Sequence, residues 1–133
     1  MKVKIFTDGG SRGNPGNAGI GVYITDEHGN EIEKRYKNLG IKTNNEAEYT
    51  AVHLAVNRAI EIGAKEISLF ADSKLVVSQL NGEWKIKEER LKEIKKSIDE
   101  LIINSSIKIS FTWIPREQNK EADRLSNVAM DNI

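Results

Sequence analysis

The chain contains no cysteine in 133 residues. Disulfides, thiolate zinc sites and a cysteine nucleophile are therefore excluded. The absence fits a reducing compartment, and a cytoplasmic location is the expectation. Histidine is scarce too: His28 falls in a turn signal and His53 in mid-helix, where both read as structural or solvated. Every longer apolar run is broken by charge, and the N-terminal "MKVKIFTDGG" is too short for a signal peptide or a membrane span, so no membrane contact is expected. Neither sign of charge prevails, with 20 Lys plus Arg against 20 Asp plus Glu. Nucleic-acid binders are often strongly basic. Either this chain binds no nucleic acid, or a local acidic cluster offsets a basic surface and bound divalent cations restore its sign. Repeats, low-complexity segments and linkers are lacking. The length predicts one domain over residues 1–133, with no obligate protein partner indicated and a monomer expected.

What is present is a clear alternation of hydrophobic periods. Val3, Ile5 and Thr7 alternate with Lys4, Phe6 and Asp8 in a first strand, and Ile20, Val22 and Ile24 mark a second. "DEHGNE" is a hairpin turn before a third strand over 31–39, whose dense charge suits a sheet edge. Between the first two strands, "GGSRGNPGNAG" reads as a loop, because its glycines and Pro15 oppose regular structure. Thr43-Asn44-Asn45-Glu46 is a capping box opening a helix that runs to about Ile62, with Gly63 as its C-terminal cap. "EISLFAD" is a fourth strand, Ser73 to Leu80 a short helix stopped by Asn81-Gly82, and 87–103 an amphipathic helix with Leu91, Ile94, Ile98 and Leu101 on one stripe. Ile107, Ile109, Phe111 and Trp113 alternate in a fifth strand that Pro115 ends, and Asn119 to about Met130 is a last helix. The order βββαβααβα predicts an α/β fold: a five-stranded mixed sheet, its first three strands antiparallel, with helices on both faces.

Two strands end alike, in Phe6-Thr7-Asp8 and Phe70-Ala71-Asp72. A helical crossover lies between them, so the strands can be parallel and their carboxylates can meet where open α/β sheets bind ligands. Glu48 shares a helix face with Val52, Ala55, Ala59 and Ile62 and so heads an apolar stripe. Burying a carboxylate unpaired costs several kcal/mol or raises its pKa. Asp123 sits in the last helix, with Asn119 on the same side. Singly each acid has a plain reading: Asp8 a turn residue, Asp72 a cap for the helix from Ser73, Glu48 a solvated first-turn acid, Asp123 a surface charge. Their convergence would need hard cations to hold it. Oxygen-only donors favour magnesium or manganese over zinc, and two such ions ~4 Å apart are a device for in-line phosphoryl displacement.

"FTDGGSRGNPGNAGIG", "TNNEAEYTAV", "FADSKLVV" and "IPREQNKEADRLSN" together resemble the ribonuclease H type 1 family, in its order and spacing across nearly the whole chain. The resemblance implies a ribonuclease H-like fold and metal-dependent endonucleolytic cleavage of the RNA strand of RNA–DNA hybrids. It implies metal-binding carboxylates at Asp8, Glu48, Asp72 and Asp123, two Mg²⁺ per site with Mn²⁺ as an alternative, and hybrid contacts at Asn14, Thr43, Asn44 and Asn45, with Ser73 nearby. Gly9 and Gly10 would let the backbone approach a ligand closely, and the helix N-terminus at Thr43 suits phosphate. Many members carry a histidine in the loop before the last acid; here the loop is "IPREQNKEAD", and Arg116 stands in its place. Arginine cannot act as a base, so its expected role is phosphate electrostatics. Some members insert a basic handle after the second helix. Here "NGEWKIKEERLKEI" runs straight into the next one, with Trp84 either touching DNA or packed between helices. Weaker, salt-sensitive hybrid binding is the expectation. Cleavage of duplex RNA and a non-catalytic binding module of the same fold remain as alternatives.

Overall fold

The structure is a computed structural model that describes residues 1–132; Ile133, the last residue of the expected domain, lies outside them. Strands β1 (Lys2–Arg12), β2 (Gly16–Asp26) and β3 (Glu31–Lys42) are followed by helix α1 (Asn44–Glu61), β4 (Glu66–Ala71), α2 (Lys74–Leu80), α3 (Glu89–Ser105), β5 (Lys108–Trp113), a 3₁₀ turn (Arg116–Gln118) and α4 (Lys120–Asp131). The sheet order is β3-β2-β1-β4-β5. β1 to β3 pair antiparallel, while β4 runs parallel to both β1 and β5. The expected element order and mixed sheet are both present. Among the described residues, no helix is long and apolar enough to cross a membrane.

The alternating strands put Val3, Ile5, Val22, Ile24, Ile67 and Leu69 into one core under α1 and α3, together with Tyr49, Val52, Val56, Leu91 and Ile98. The opposite face carries Phe6, stacked on Phe70 at 5.1 Å and tilted against Tyr23, and α4 packs there. Thr43 and Glu46 form the reciprocal capping box of α1, and Gly63 follows with a positive φ of 89°. At the β3 edge, Arg58 of α1 donates two 2.8 Å hydrogen bonds to Glu33, and Lys34 pairs with Glu121 of α4 at 3.2 Å. These pairs tie the charged edge to both helix layers.

One expectation fails. The glycine-rich stretch after Asp8 is not a loop: β1 continues through Gly9 and Gly10 to Arg12, and β2 begins at Gly16. Only residues 13–15 turn the chain. The glycines serve close packing instead. A Cβ on Gly9 would lie 2.4 Å from the Ala47 backbone of α1, and one on Gly21 would lie 2.3 Å from the Ala122 carbonyl of α4. Gly19 meets α4 in the same way. Smaller shifts occur elsewhere, since β3 extends to Lys42 and α3 covers 89–105.

The bare strands let α1 and α4 settle directly onto the sheet. Gly21→Ala is expected to destabilise the fold by ~1–3 kcal/mol, the usual range for overpacking, and to displace α4. Urea unfolding measures the loss; an unchanged midpoint would show that α4 does not depend on this gap.

Candidate active site

The parallel pairing of β1 and β4 sets Thr7 opposite Ala71, so Asp8 and Asp72 come side by side as the next residues along. Gly9 lets the first turn of α1 close on β1, which brings Glu48 to the same point. One carboxylate oxygen from each of Asp8, Glu48 and Asp72 lies within 4.8 Å of the others. Asp8 pairs with Gly21 across β2, and the side chain missing there is what lets α4 bring Ser126 and Asp123 to the cluster. The Ser126 hydroxyl donates to Asp8 Oδ2 at 2.6 Å. Asn119, buried before α4, donates from Nδ2 to the Thr7 carbonyl at 2.8 Å and to Asp72 Oδ2 at 3.2 Å. All four expected acids line one polar cleft of about 380 Å³, joined by Gly9, Gly10, Asn44 and Arg116.

Burial pushes the Asp8 carboxyl from an ordinary value near 3.8 to about 7; the Ser126 hydrogen bond opposes the shift, and the charges of Asp72 and Asp123 add to it. Glu48 is raised well above the usual range, first by burial and then by Asp8 and Asp72, against a backbone hydrogen bond from Gly9. Asp72 is also raised, by burial first, with Asn119 and the Arg116 charge pulling it down. Glu48 is only 4% exposed, and its Oε2 is buried without a hydrogen-bond partner. A buried, unpartnered oxygen beside two further acids has the chemistry of an incomplete ligand set. Three hard oxygen donors within reach of one centre, with no nitrogen or sulfur donor among them, fit Mg²⁺ or Mn²⁺. Asp123 lies outside the tight trio but on the same cleft, where Arg116 donates to its Oδ1 at 3.3 Å.

For three of the acids the plain reading does not fit the geometry. Asp8 is within a strand, and Glu48 is buried. The cap of α2 is Ser73, whose Oγ accepts from the Val76 N–H at 3.2 Å, which leaves the Asp72 carboxylate to the cleft. Thr43 caps α1, while Asn14 Oδ1 accepts from the Asn44 N–H at 3.1 Å. These two and Asn45 surround the α1 terminus at one end of the cleft. Trp84 is not packed between helices: it is 48% exposed in the segment joining α2 to α3. Ser126 and Arg12 escaped the sequence reading. Arg12 lines the cleft and pairs with Asp131. Ser126 was findable in principle, three residues after Asp123 and so on the same helical side.

An acid raised in the folded state binds its proton more tightly there than when unfolded. The metal-free fold therefore loses stability as pH climbs from the ordinary carboxylate value through about 7. Asp8→Asn removes this burden. In chelator, it is expected to match the parent near pH 4 and to exceed it by on the order of 2–4 kcal/mol at pH 8. Urea unfolding across pH measures the gap; a gap that does not grow with pH would contradict the reading.

Residues 6–129 match a family described as reverse transcriptase-like. A bifunctional protein of Mycobacterium tuberculosis is 42% identical over 98% of the chain, which spans 36% of that protein's length. Ribonuclease HI of Halobacterium salinarum is 36% identical over 98% of the chain and 65% of its own length. The chain thus spans about a third to two thirds of these relatives. The crystal structure of the halobacterial RNase H1 superposes with a TM-score of 0.95 at 35% identity, covering all of both chains. That of LC11-RNase H1 in complex with an RNA/DNA hybrid gives 0.93 at 42% identity, covering 97% of this chain and 96% of that one. With the strand order, the cleft and these relatives in agreement, the chain belongs to the ribonuclease H type 1 family.

Proposed function

We propose that the chain is a ribonuclease H that hydrolyses the RNA strand of RNA–DNA hybrids, with Mg²⁺ or Mn²⁺ held by Asp8, Glu48, Asp72 and Asp123. The observation that carries this is Glu48, a buried carboxylate with an unpartnered oxygen beside two other acids of raised pKa. Relatives named as ribonucleases H, and one solved with a hybrid, support the substrate class. A non-catalytic module of this fold would have no use for such a residue.

When bound, the ions supply positive charge to the attacking water and the departing oxygen of a phosphodiester. The chain's own part is to hold the geometry. Ser126 fixes one oxygen of Asp8, and Asn119 fixes one of Asp72 while tying it to the β1 backbone. Gly9 and Gly10 line the cleft with backbone, their missing side chains making room for α1 at Ala47 and for Met130 of α4, and that backbone is what they offer to a phosphate. Asn14, Thr43, Asn44 and Asn45 are assigned to the minor groove and adjoining phosphate, where the 2′-hydroxyl distinguishes RNA from DNA. Ser73 orients the Asp72 turn. Trp84, half exposed, is assigned to the DNA strand, with Lys85 and Lys87 beside it.

Arg116 offers guanidinium donors and a positive charge to the scissile phosphate, and a guanidinium does not serve as a general base. Among the described residues, no histidine lines the cleft, so proton transfer falls to water and the acids. Loss of one electrostatic donor of this kind costs ~10²-fold in kcat. Arg116→Ala is expected to fall by about that much, Arg116→Lys by less, and both should keep the shape of the parent pH–rate profile. A profile that loses one limb in Arg116→Ala would contradict a purely electrostatic role.

The direct assay uses end-labelled RNA–DNA hybrid, duplex RNA and duplex DNA with chelator, Mg²⁺ or Mn²⁺. Cleavage of the RNA strand of the hybrid, dependent on metal, and no cleavage of duplex DNA are expected. Cutting that persists in chelator, or an inert protein with both metals, would overturn the proposal. The duplex RNA arm decides whether specificity is relaxed.

A further inference from the structure

Beside the cleft, one aromatic side chain sits where core packing does not account for it. Along β5, Ile109 and Phe111 turn under the helices and pack on the main core. Trp113 continues the same alternating row but emerges past the helix layer, 45% exposed. It is nevertheless held firmly. Its strand partner is Ala71, the residue before Asp72, and its indole Nε1–H donates to the Asp72 carbonyl at 3.1 Å. The following Ile114 N–H donates to the Ala71 carbonyl at 3.0 Å. Lys74, the first residue of α2, holds its ammonium 5.9 Å from the ring centroid, near the outer reach of a cation–π contact. A fixed, exposed indole and a loosely held cation therefore flank the cleft on its β5 side. The α1 terminus lies on the other side of β4.

We propose that Trp113 and Lys74 form a second nucleic-acid contact. The indole packs against the sugar of a nucleotide flanking the severed linkage, and Lys74 takes the adjoining phosphate. This rests on the ribonuclease H reading above. The position and chemistry of the patch select that occupant. The patch is continuous with the cleft through Asp72, so a strand passing the acids must run over one of its flanks. In a duplex the bases are occupied by their own stack, which leaves sugar faces as the apolar surface available to an indole. Such a contact is indifferent to base sequence, as is a lysine–phosphate pair. The indole N–H is already spent on Asp72, which leaves the ring itself free for the substrate.

The test measures hybrid affinity by fluorescence anisotropy in the full chain with Mg²⁺, using Asp8→Asn to stop cleavage, and steady-state kinetics in the active chain. Trp113→Leu is expected to weaken hybrid binding about tenfold and to raise KM with kcat nearly unchanged. Trp113→Phe, which keeps a ring but loses the N–H, should stay within about threefold of the parent. Lys74→Gln, an exposed change that does not threaten folding, should flatten the slope of log affinity against log salt by about one. If hybrid binds and none of the three variants moves affinity or slope, the contact does not exist, and the ribonuclease reading stands. If Phe and Leu lose equally and the loss is in kcat, Trp113 only anchors Asp72, and the proposal falls. If the parent binds no hybrid, both readings fall together.

Discussion

Mutual repulsion among buried carboxylates is the constraint on which the rest of this structure depends. Asp8, Glu48 and Asp72 approach closely enough to share a centre, in a place where burial already disfavours their charge. Among the described residues, none of the three carboxylates has a salt-bridge partner. Arg116 pairs with Asp123 from the exposed rim and acts on Asp72 through its charge alone, and among the described residues the side-chain hydrogen bonds to the trio's carboxylates come from neutral groups, Ser126 and Asn119. Such a cluster is a standing load on the metal-free fold, and on the proposed reading bound divalent cations would relieve it.

Holding repelling groups together requires a scaffold that cannot relax. The chain achieves this by removing side chains where helices meet strands. Gly9 admits α1, and Gly19 with Gly21 admits α4, so two helices on opposite faces deliver Glu48 and Asp123 to the end of the same strand pair. α4 meets the glycines with small residues of its own, Ala122, Ser126 and Ala129, all buried. Its far end is held by Asn17 and Asn38, whose side-chain amides donate to the Met130 and Ala129 carbonyls. The carboxylates thus stand on rigid elements, and the groups assigned to substrate stand on their ends and connections.

Much of this was legible in the sequence, for identifiable reasons. Strand and helix periods reported the element order. An apolar run ending in Asp marked Asp8 and Asp72, and an acid at the head of an apolar helical stripe marked Glu48. Asp123 carried no local signal and was reached only through the resemblance of "IPREQNKEADRLSN". What misled was local chemistry with two meanings. Glycine in a strand usually marks a turn, yet here each answers to a helix far away in sequence, and nothing within the window reveals it. Asp72 and Ser73 are both good helix caps, and only the fold decides that Ser73 is the one that caps α2. Asn119 and Ser126 act through partners more than 100 residues away, a relation no spacing rule encodes. The sequence around Trp84 is compatible with burial and with exposure, and its exposed setting agrees with the lack of a helical pattern there.

The most direct test of the central claim is a titration of the Asp8 side-chain carboxyl by carbon-detected NMR, with and without Mg²⁺. In chelator the carboxyl should titrate near 7, and saturating Mg²⁺ should move that transition down by several units, because cation binding and protonation compete for the same oxygens. A carboxyl that titrates in the ordinary range near 4 and ignores Mg²⁺ would contradict the claim that burial and repulsion at this cluster are what bound ions would relieve.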